Sequence, residues 1–412
     1  LMAMAKKSVL LLVTALLLVL AWRVLSLGIA DHFAETNPQR ALFWRAGHPL
    51  ANLRMAEQLV AVERWTDAEK HAKAALASNR LDGRAYRVLA QVELARGRLG
   101  QARGLYQKAV RWAPRDLQSH LWLFQNALRR RDAVAAIRHM DALFRLRPSL
   151  LAEMRLQAEI MAVNPATRAE LANLLLQAPP WRAAYINGLG KSGLSTDALA
   201  PLFELLGTRA EFRPGEINPW LDRLRKEQRF EQAYLTWANL LPESQRKKLG
   251  NVFDGGFELA PEDHSGPFSW RSGSPNGSLV LWTETRGTVG ESSYSVQFEG
   301  GRTPFADLSQ TLVLPPGDWL LQWRAKAENL DSPRGLVWRI QCLPAGRNSL
   351  ADSAAMSGSF DWREHELAFT VPPECRGQTM TLMIPARIPS ETQISGSLWL
   401  DEVRILPAPA PL

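Results

Sequence analysis

The sequence predicts a multidomain chain in which a helical array precedes an antiparallel β-sandwich of jelly-roll type. Three observations support this: an apolar segment near the N-terminus, an Ala- and Leu-rich region that repeats every 34 residues, and a later region of short runs bounded by Gly, Pro, Ser and Asn. At 412 residues the chain is too long for one ordinary core. The predicted domains are an N-terminal signal anchor (1–30), a helical repeat domain (31–249), a sandwich (250–407) and a Pro/Ala tail (408–412).

The N-terminal segment is almost continuously apolar from Ser8 to Ile29, which is 22 residues. A helix needs about 20 such residues to cross a membrane. Lys6 and Lys7 precede it, and the positive-inside rule then predicts a cytoplasmic N-terminus. We expect a single-pass protein of the bacterial inner membrane, with its bulk in the periplasm. The alternative is a cleaved signal peptide, with residues 28–30 as the small-residue cleavage site. Both interpretations export the rest of the chain.

The helical region repeats with small residues at fixed positions. Ala68, Ala102 and Ala136 are each 34 residues apart, and Pro114 and Pro148 show the same step. Small alanines let two helices approach closely, while proline ends the second helix. The period and pattern resemble the tetratricopeptide repeat (TPR). The resemblance covers units 49–82, 83–116 and 117–150, and weaker units at 181–207 and 220–241. It implies stacked helix pairs with a groove that binds an envelope protein partner.

The C-terminal region carries three motifs in order. These are an opening Asn-x-x-x-Gly-Gly-Phe-Glu at 251–258, a central Ser-x-x-Phe-x-Gly at 295–300, and a closing apolar-Asp-x-Val-x-Ile at 400–405. Together they resemble the CenC-like jelly-roll carbohydrate-binding modules over residues 250–407. The resemblance implies a ligand cleft on one sheet. It also implies a structural calcium near the opening and closing motifs, where Glu258 and Asp401 match the carboxylate positions.

Strand alternation identifies the glycan-binding candidates. Side chains on a strand point alternately to opposite faces, so polar residues between core positions lie on an outer face. Amides and guanidinium groups suit sugar hydroxyls, and Arg suits carboxylated sugars. Tryptophans beside turns add stacking platforms, although packing on their own loops is the alternative. The sequence does not show that these residues share one sheet, and an ordinary solvated face is the other interpretation. The candidates are Gln297, Gln322, Arg324, Arg339, Gln341, Trp270 and Trp282.

The cysteines and the net charge bear on disulfide formation and on the class of partner. The only cysteines, Cys342 and Cys375, fall in the exported C-terminal domain, which favours a disulfide over two separate buried thiols. The net charge of +8 is moderate for this length. No recognition motif accompanies it, so we expect no nucleic-acid partner.

The sequence has no Gly-x-Ser-x-Gly elbow, no Gly-x-x-x-x-Gly-Lys-Ser/Thr phosphate loop and no His-Glu-x-x-His helix. We therefore expect no catalytic residues and no cofactor other than the calcium. The resulting hypothesis is a non-enzymatic scaffold for exopolysaccharide synthesis or export, whose array binds a protein and whose sandwich contacts a polysaccharide. One alternative is a pure protein–protein interaction scaffold with a structural sandwich. The other is a carbohydrate-active enzyme, which needs two facing carboxylates.

Overall fold

The computed structural model describes residues 2–207, 212–213, 215–263, 266–273, 275–344 and 349–408, with side chains from residue 12 onward. The chain forms two compact units. One comprises residues 1–174 and 179–181, and the other comprises residues 175–178 and 182–412. The predicted fold class, helices followed by an antiparallel β-sandwich, is confirmed. The predicted tail lies outside the described residues beyond Ala408.

The described helices precede all of the described strands. Short 3-10 turns occur at Pro261–Asp263 and Pro389–Thr392. The helices are α1 (Met2–Phe33), α2 (Pro38–Trp44), α3 (Pro49–Ala61), α4 (Trp65–Ser78), α5 (Gly83–Ala95), α6 (Leu99–Trp112), α7 (Leu117–Arg129), α8 (Ala133–Leu146), α9 (Leu150–Glu153), α10 (Arg155–Val163), α11 (Pro165–Leu176), α12 (Arg182–Gly190), α13 (Thr196–Leu206), α14 (Asn218–Lys226), α15 (Phe230–Leu240) and α16 (Glu243–Arg246).

The apolar segment forms one long helix, α1. Its portion Leu12–Phe33 is long and apolar enough to cross a membrane, and its most apolar 18-residue stretch has a mean hydropathy of 2.2 with no residue buried in the protein. A signal sequence has the same length and composition. The helix is therefore compatible with both interpretations of the sequence.

The 34-residue period sets where the helices begin. Helices α3, α5 and α7 start at Pro49, Gly83 and Leu117, which are 34 residues apart. Helices α4, α6 and α8 start at the same interval. The repeated alanines lie where the helices touch, and Ala68, Ala102 and Ala136 have no exposed surface. Small side chains thus permit the close helix contacts that the repeat requires.

One hydrogen bond recurs in all three repeats with a different donor each time. A side chain near the start of the first helix reaches the backbone carbonyl six residues earlier. The bonds are Asn52 Nδ2 to Ala46 O (2.8 Å), Tyr86 OH to Arg80 O (3.1 Å) and His120 Nε2 to Pro114 O (3.1 Å). Each bond satisfies a carbonyl between successive helix pairs, where an unpaired polar group would be costly.

The sandwich consists of two antiparallel sheets whose facing sides form one apolar core. The five-stranded sheet has the order β1-β2-β9-β4-β7, and the four-stranded sheet has the order β3-β8-β5-β6. Cys342 at the end of β5 forms a disulfide with Cys375. The strands are β1 (Ser278–Glu284), β2 (Ser292–Arg302), β3 (Ala306–Leu312), β4 (Gly317–Asp331), β5 (Val337–Cys342), β6 (Ser349–Asp352), β7 (Gly358–Val371), β8 (Gln378–Met383) and β9 (Gln393–Pro407).

Replacing Gly83 by Ala tests the close packing in the middle repeat. A Cβ at Gly83 would lie 2.5 Å from the Ala109 carbonyl oxygen and 2.5 Å from the Ala113 Cβ. We expect Gly83→Ala to lower the free energy of unfolding by about 1–3 kcal/mol. Gly104→Ala is the matched control, because a Cβ there has nothing within 4 Å. The control should be neutral or stabilising by up to about 1 kcal/mol, since alanine is the better helix former. Urea unfolding followed by helical circular dichroism measures both, and equal effects would contradict the packing argument.

A buried histidine pair gives the third repeat a pH dependence. His120 and His139 place their Nδ1 atoms 3.1 Å apart. Because His120 Nε2 faces the Pro114 carbonyl and donates to it, the neutral His120 Nδ1 accepts from His139. Burial lowers the pKa of His120, and burial together with its neighbour lowers the pKa of His139 to about 4. In the folded state the two histidines therefore bind protons only at lower pH, whereas in the unfolded chain they bind protons near pH 6.5.

We expect this pair to destabilise the array as the pH falls from about 6.5 towards 4, by about 1–2 kcal/mol at pH 5. The double variant His120→Tyr, His139→Leu copies the Tyr86 and Leu105 of the middle repeat and should lose that part of the dependence. Urea unfolding at pH 7 and pH 5 measures the difference between the two proteins. An identical pH dependence in both would show that the pair does not titrate as described.

Candidate functional site

The exposed face of the five-stranded sheet brings together three of the predicted polar residues. Strand β4 alternates cleanly, with Trp323 and its alternate neighbours buried while Gln322 and Arg324 reach the surface. Strand β9 lies between β2 and β4, and its register places Ser397 beside Gln297. Gln297, Gln322 and Arg324 therefore share one outward face.

Arg339 and Gln341 lie elsewhere, on β5 of the four-stranded sheet. Arg339 makes two hydrogen bonds to Asp352, at 2.7 and 2.6 Å. Its guanidinium lowers the pKa of the Asp352 carboxyl. The five polar candidates are thus divided between the two sheets, and Arg339 is engaged within the protein.

Two tryptophans on the exposed face of the five-stranded sheet each make a cation–π contact with a basic side chain. The Lys326 Nζ lies 5.3 Å from the ring centroid of Trp399, and the Arg324 Cζ lies 5.4 Å from that of Trp362. Both indoles are half-buried. The register puts Ser295 on the other side of Trp399 from Lys326. We call Ser295, Gln297, Lys326, Ser397 and Trp399 the platform.

Trp399 was missed as a site residue, although the sequence contains a signal for it. It lies between Leu398 and Leu400, and both of these are fully buried. Strand alternation therefore turns Trp399 outward. Trp399 directly precedes the closing motif in an unbroken apolar run, residues 398–400, where alternation is not visible from polarity.

The loop between β1 and β2, residues 285–291, crosses this face and bounds the platform. It starts near one edge of the sheet and reaches the opposite edge, where Trp362 of β7 donates its indole N–H to the Arg286 carbonyl at 3.0 Å. Gly287 lies directly under that indole, since a Cβ there would be 2.7 Å from the ring, and its φ is +87°. Only glycine combines that close approach with a positive φ. The loop thus forms a wall beside the platform.

Two carboxylates hold this loop. Asp401 is fully buried and accepts from the backbone N–H of Val289 at 2.8 Å and of Glu402 at 2.7 Å. Burial raises its pKa. Glu258 accepts from the N–H of Glu291 at 3.0 Å. The opening and closing motifs therefore meet at the loop, and each contributes one acid.

The same two carboxylates are the predicted calcium ligands. Calcium takes six to eight oxygen ligands in proteins, whereas backbone N–H groups already point at the oxygens described here. Within the described residues, no group of three or more His, Cys, Asp or Glu side chains is placed to hold a metal. The observed contacts give both acids a loop-holding role, and calcium binding by Glu258 and Asp401 stays a prediction.

The predicted tryptophans Trp270 and Trp282 lie away from the platform. Both border a cavity of about 750 Å³ together with Arg271, Ser272 and Asp307. Trp270 is only 3% exposed, and its indole N–H donates to the Asp254 carbonyl at 3.0 Å. Trp282 is half-buried and packs against the core. Trp270 in particular is a core side chain, with little surface left for stacking on a ligand.

Comparisons with known proteins give structural matches only. No family model matches the chain, and no curated protein matches it. Among solved structures, a family 4 carbohydrate-binding module matches with 13% identity and a TM-score of 0.30, over 38% of this chain and 99% of the module. A family 61 module in complex with β-1,4-galactotriose matches with 15% identity and a TM-score of 0.26, over 39% and 100%. The C-terminal family 22 module of Clostridium thermocellum Xyn10B matches with 12% identity and a TM-score of 0.27, over 42% and 100%.

Removing the Asp401 carboxylate tests how the wall is held. We expect Asp401→Ala to leave the Val289 amide without its acceptor and to speed backbone hydrogen exchange in residues 285–291 by roughly tenfold or more. Glu366→Ala, at an exposed position on β7, is the control and should leave that exchange unchanged. Mass spectrometry of the exchanged peptides measures both. The same exchange, measured in the unsubstituted protein with excess calcium and with EGTA, tests the calcium prediction, and equal exchange in both would contradict it. Protection that appears only with calcium would instead establish the metal.

Proposed function

We propose that this chain is a non-enzymatic, membrane-anchored scaffold of the bacterial envelope whose sandwich binds a polysaccharide on the platform. The observation that carries the proposal is Trp399 flanked by the Lys326 cation and polar side chains, next to the wall of residues 285–291. The half-buried indole of Trp399 thus lies among polar side chains on an outward face of the sheet.

The chemistry of the platform suits a sugar chain. The indole face of Trp399 offers an apolar surface to the C–H face of a pyranose ring. The Gln297 amide offers both donors and an acceptor to hydroxyl groups, and Lys326 adds a charged donor. Ser397 is small, so a ring can approach the sheet closely beside the indole, whereas Ser295 is buried and donates its hydroxyl to the Leu281 carbonyl at 3.2 Å. This residue set binds and orients a chain of sugars.

The position of the acids supports a role without catalysis. Glycoside hydrolysis needs two carboxylates across a cleft, about 5–9.5 Å apart, with one of them free to donate a proton. Asp401 is buried beneath the loop and Glu258 accepts a backbone N–H of the loop. Both acids thus support the wall of the site rather than facing a ligand.

The helical part is proposed to be TPR-like and to bind an envelope protein. The 34-residue step of its helices and the recurrent side-chain-to-carbonyl bond support the first point. A groove of about 430 Å³ on α13, α14 and α15 supports the second. Phe203, Trp220 and Leu235 line it, with Leu235 52% exposed, and Glu204 and Glu231 lie at its sides. An apolar segment carrying basic residues has the matching chemistry.

Export to the periplasm and a place in exopolysaccharide synthesis or secretion complete the proposal. The apolar helix α1 supports export, and so does the disulfide between Cys342 and Cys375, because disulfides persist in oxidising compartments. A partner-binding helical part joined to a sugar-binding sandwich would keep a polymer close to the protein that makes or moves it.

Binding of the full-length chain to a panel of immobilised bacterial and plant polysaccharides tests the sandwich. We expect retention by one polymer, weakened roughly tenfold or more by Trp399→Ala, which is about 1.4 kcal/mol of binding free energy. Arg339→Ala is the matched control, because Arg339 lies on the other sheet, and it should leave binding unchanged. Binding that is weakened by Arg339→Ala and unchanged by Trp399→Ala would instead place the site on the four-stranded sheet.

A protein-interaction scaffold with a structural sandwich is the second candidate. The observation in its favour is that Leu279 and Leu281, on the edge strand β1, are 49% and 46% exposed on the same face as the platform. Retention by no polysaccharide in the panel would favour this candidate over glycan binding.

A further inference from the structure

Helix α1 does not end where its apolar segment ends, but runs into the packed helices that follow. Ala30 and Ala34, near its C-terminal end, have no exposed surface. Ala34, which directly follows α1, forms a small apolar cluster with Ala41 of α2 and Ala51 of α3. The apolar helix is therefore built into the start of the array rather than joined to it by a linker.

Polar contacts fix the same junction. The His48 Nε2 lies 2.6 Å from the Asp31 Oδ1, and the Arg54 guanidinium lies 3.5 Å from the Glu35 carboxylate. The Arg40 guanidinium lies 4.2 Å from the centroid of the Phe33 ring. Three separate contacts across a short turn restrain the angle between α1 and the helices after it.

Helix α2 folds back along α1 and brings aromatic and basic side chains to one level. Trp44, the last residue of α2, packs against Trp22 with ring centroids 5.8 Å apart. Trp22 lies eleven residues before the end of α1, which is about 16 Å along the helix axis. Phe43 is 83% exposed and Trp22 is 59% exposed. Together with Arg23 and Arg45, we call Trp22, Phe43 and Trp44 the belt.

The composition of the belt matches one environment. Exposed Phe and Trp side chains on a folded domain are costly in water, whereas Trp and Arg concentrate where a bilayer meets water. The longer apolar part of the helix runs from the belt towards the N-terminus, from Ala21 back to Ser8, and we place the membrane on that side. We infer that the belt docks into the lipid interface of the membrane that α1 crosses, so that the membrane sets the orientation of the first helix pairs. This inference rests on the proposed anchoring.

The depth of the belt follows from the length of the apolar helix. The part between Ser8 and Ala21 is about 21 Å long, shorter than the roughly 30 Å hydrocarbon core. For the belt to lie at the boundary between acyl chains and headgroups, the bilayer thins around this short stretch, as bilayers do around apolar helices shorter than their core. Arg23 and Arg45 extend from there towards the lipid phosphates, as long basic side chains do at helix ends.

The belt also distinguishes an anchor from a cleaved signal peptide. Cleavage after Ala30 would remove Trp22 and Arg23 and leave Phe43 and Trp44 of α2 without the helix they pack on or the membrane they face. The contacts of Asp31 and Glu35 would remain. Retention of α1 is thus the state in which every member of the belt has a partner.

Depth-dependent quenching tests the inference on the full-length chain. Because Cys342 and Cys375 are joined, Phe43→Cys supplies a single free thiol for an environment-sensitive fluorophore. Val134→Cys is the matched control, at a 49% exposed position on α8. Each labelled protein is placed in nanodiscs of phosphatidylethanolamine and phosphatidylglycerol that contain lipids with a nitroxide near the headgroup. We expect several-fold stronger quenching at position 43 than at position 134.

The mass of the protein purified from bacterial membranes distinguishes a failure of the proposed anchor from a failure of the belt alone. A chain that begins at residue 31 would overturn the anchoring and the belt together. A chain that retains α1 but shows equal, weak quenching at positions 43 and 134 would overturn the belt alone and leave the anchor standing. A third result would also overturn the belt: fluorescence at position 43 that reports an apolar environment but is not quenched by nitroxide lipids. In that case a protein, such as a second copy of this chain, would cover the aromatic side chains.

Discussion

The sandwich depends on the contact between its first and last segments. The Val403 N–H donates to the Gly255 carbonyl at 2.8 Å, and a Cβ at Gly255 would lie 1.8 Å from the Val403 carbonyl oxygen. Only glycine fits there. This contact fixes Asp401 two residues earlier, and Asp401 in turn fixes the loop that walls the platform. The glycine of the opening motif is thus required by the close approach of the two backbones. The same approach positions Asp401 of the closing motif, and through it the loop beside the platform.

The local parts of this architecture could be predicted from the sequence. The 34-residue period predicts units that start at residues 49, 83 and 117. The helices begin there because the capping side chains just before each start and the small residues inside the helices act over short distances. Alternation on β4 likewise predicts that Gln322 and Arg324 point outward. These features depend on neighbours within a few residues.

The composition of the site could not be predicted, because it depends on strand order. Strand β9 enters between β2 and β4, so Trp399 becomes a neighbour of Lys326, 73 positions earlier in the chain. Nothing local signals this pairing. Without the strand order, Arg339 is grouped with Arg324, although they lie on different sheets, and Trp270 is grouped with the surface tryptophans, although it lies in the core. The strand order, which determines the sheet on which each residue lies, depends on the packing of the whole core.

The place where the chain joins the sandwich has a mechanical consequence. The Asn251 amide donates to the Ile405 carbonyl at 3.0 Å, so the incoming chain is bonded directly to β9. Strand β9 pairs with β2 on one side and with β4 on the other. If the proposed anchor and polymer pull against each other, the bond from Asn251 would pass part of that load to β9. Strand β9 is held by two hydrogen-bonded ladders, whereas an edge strand is held by only one.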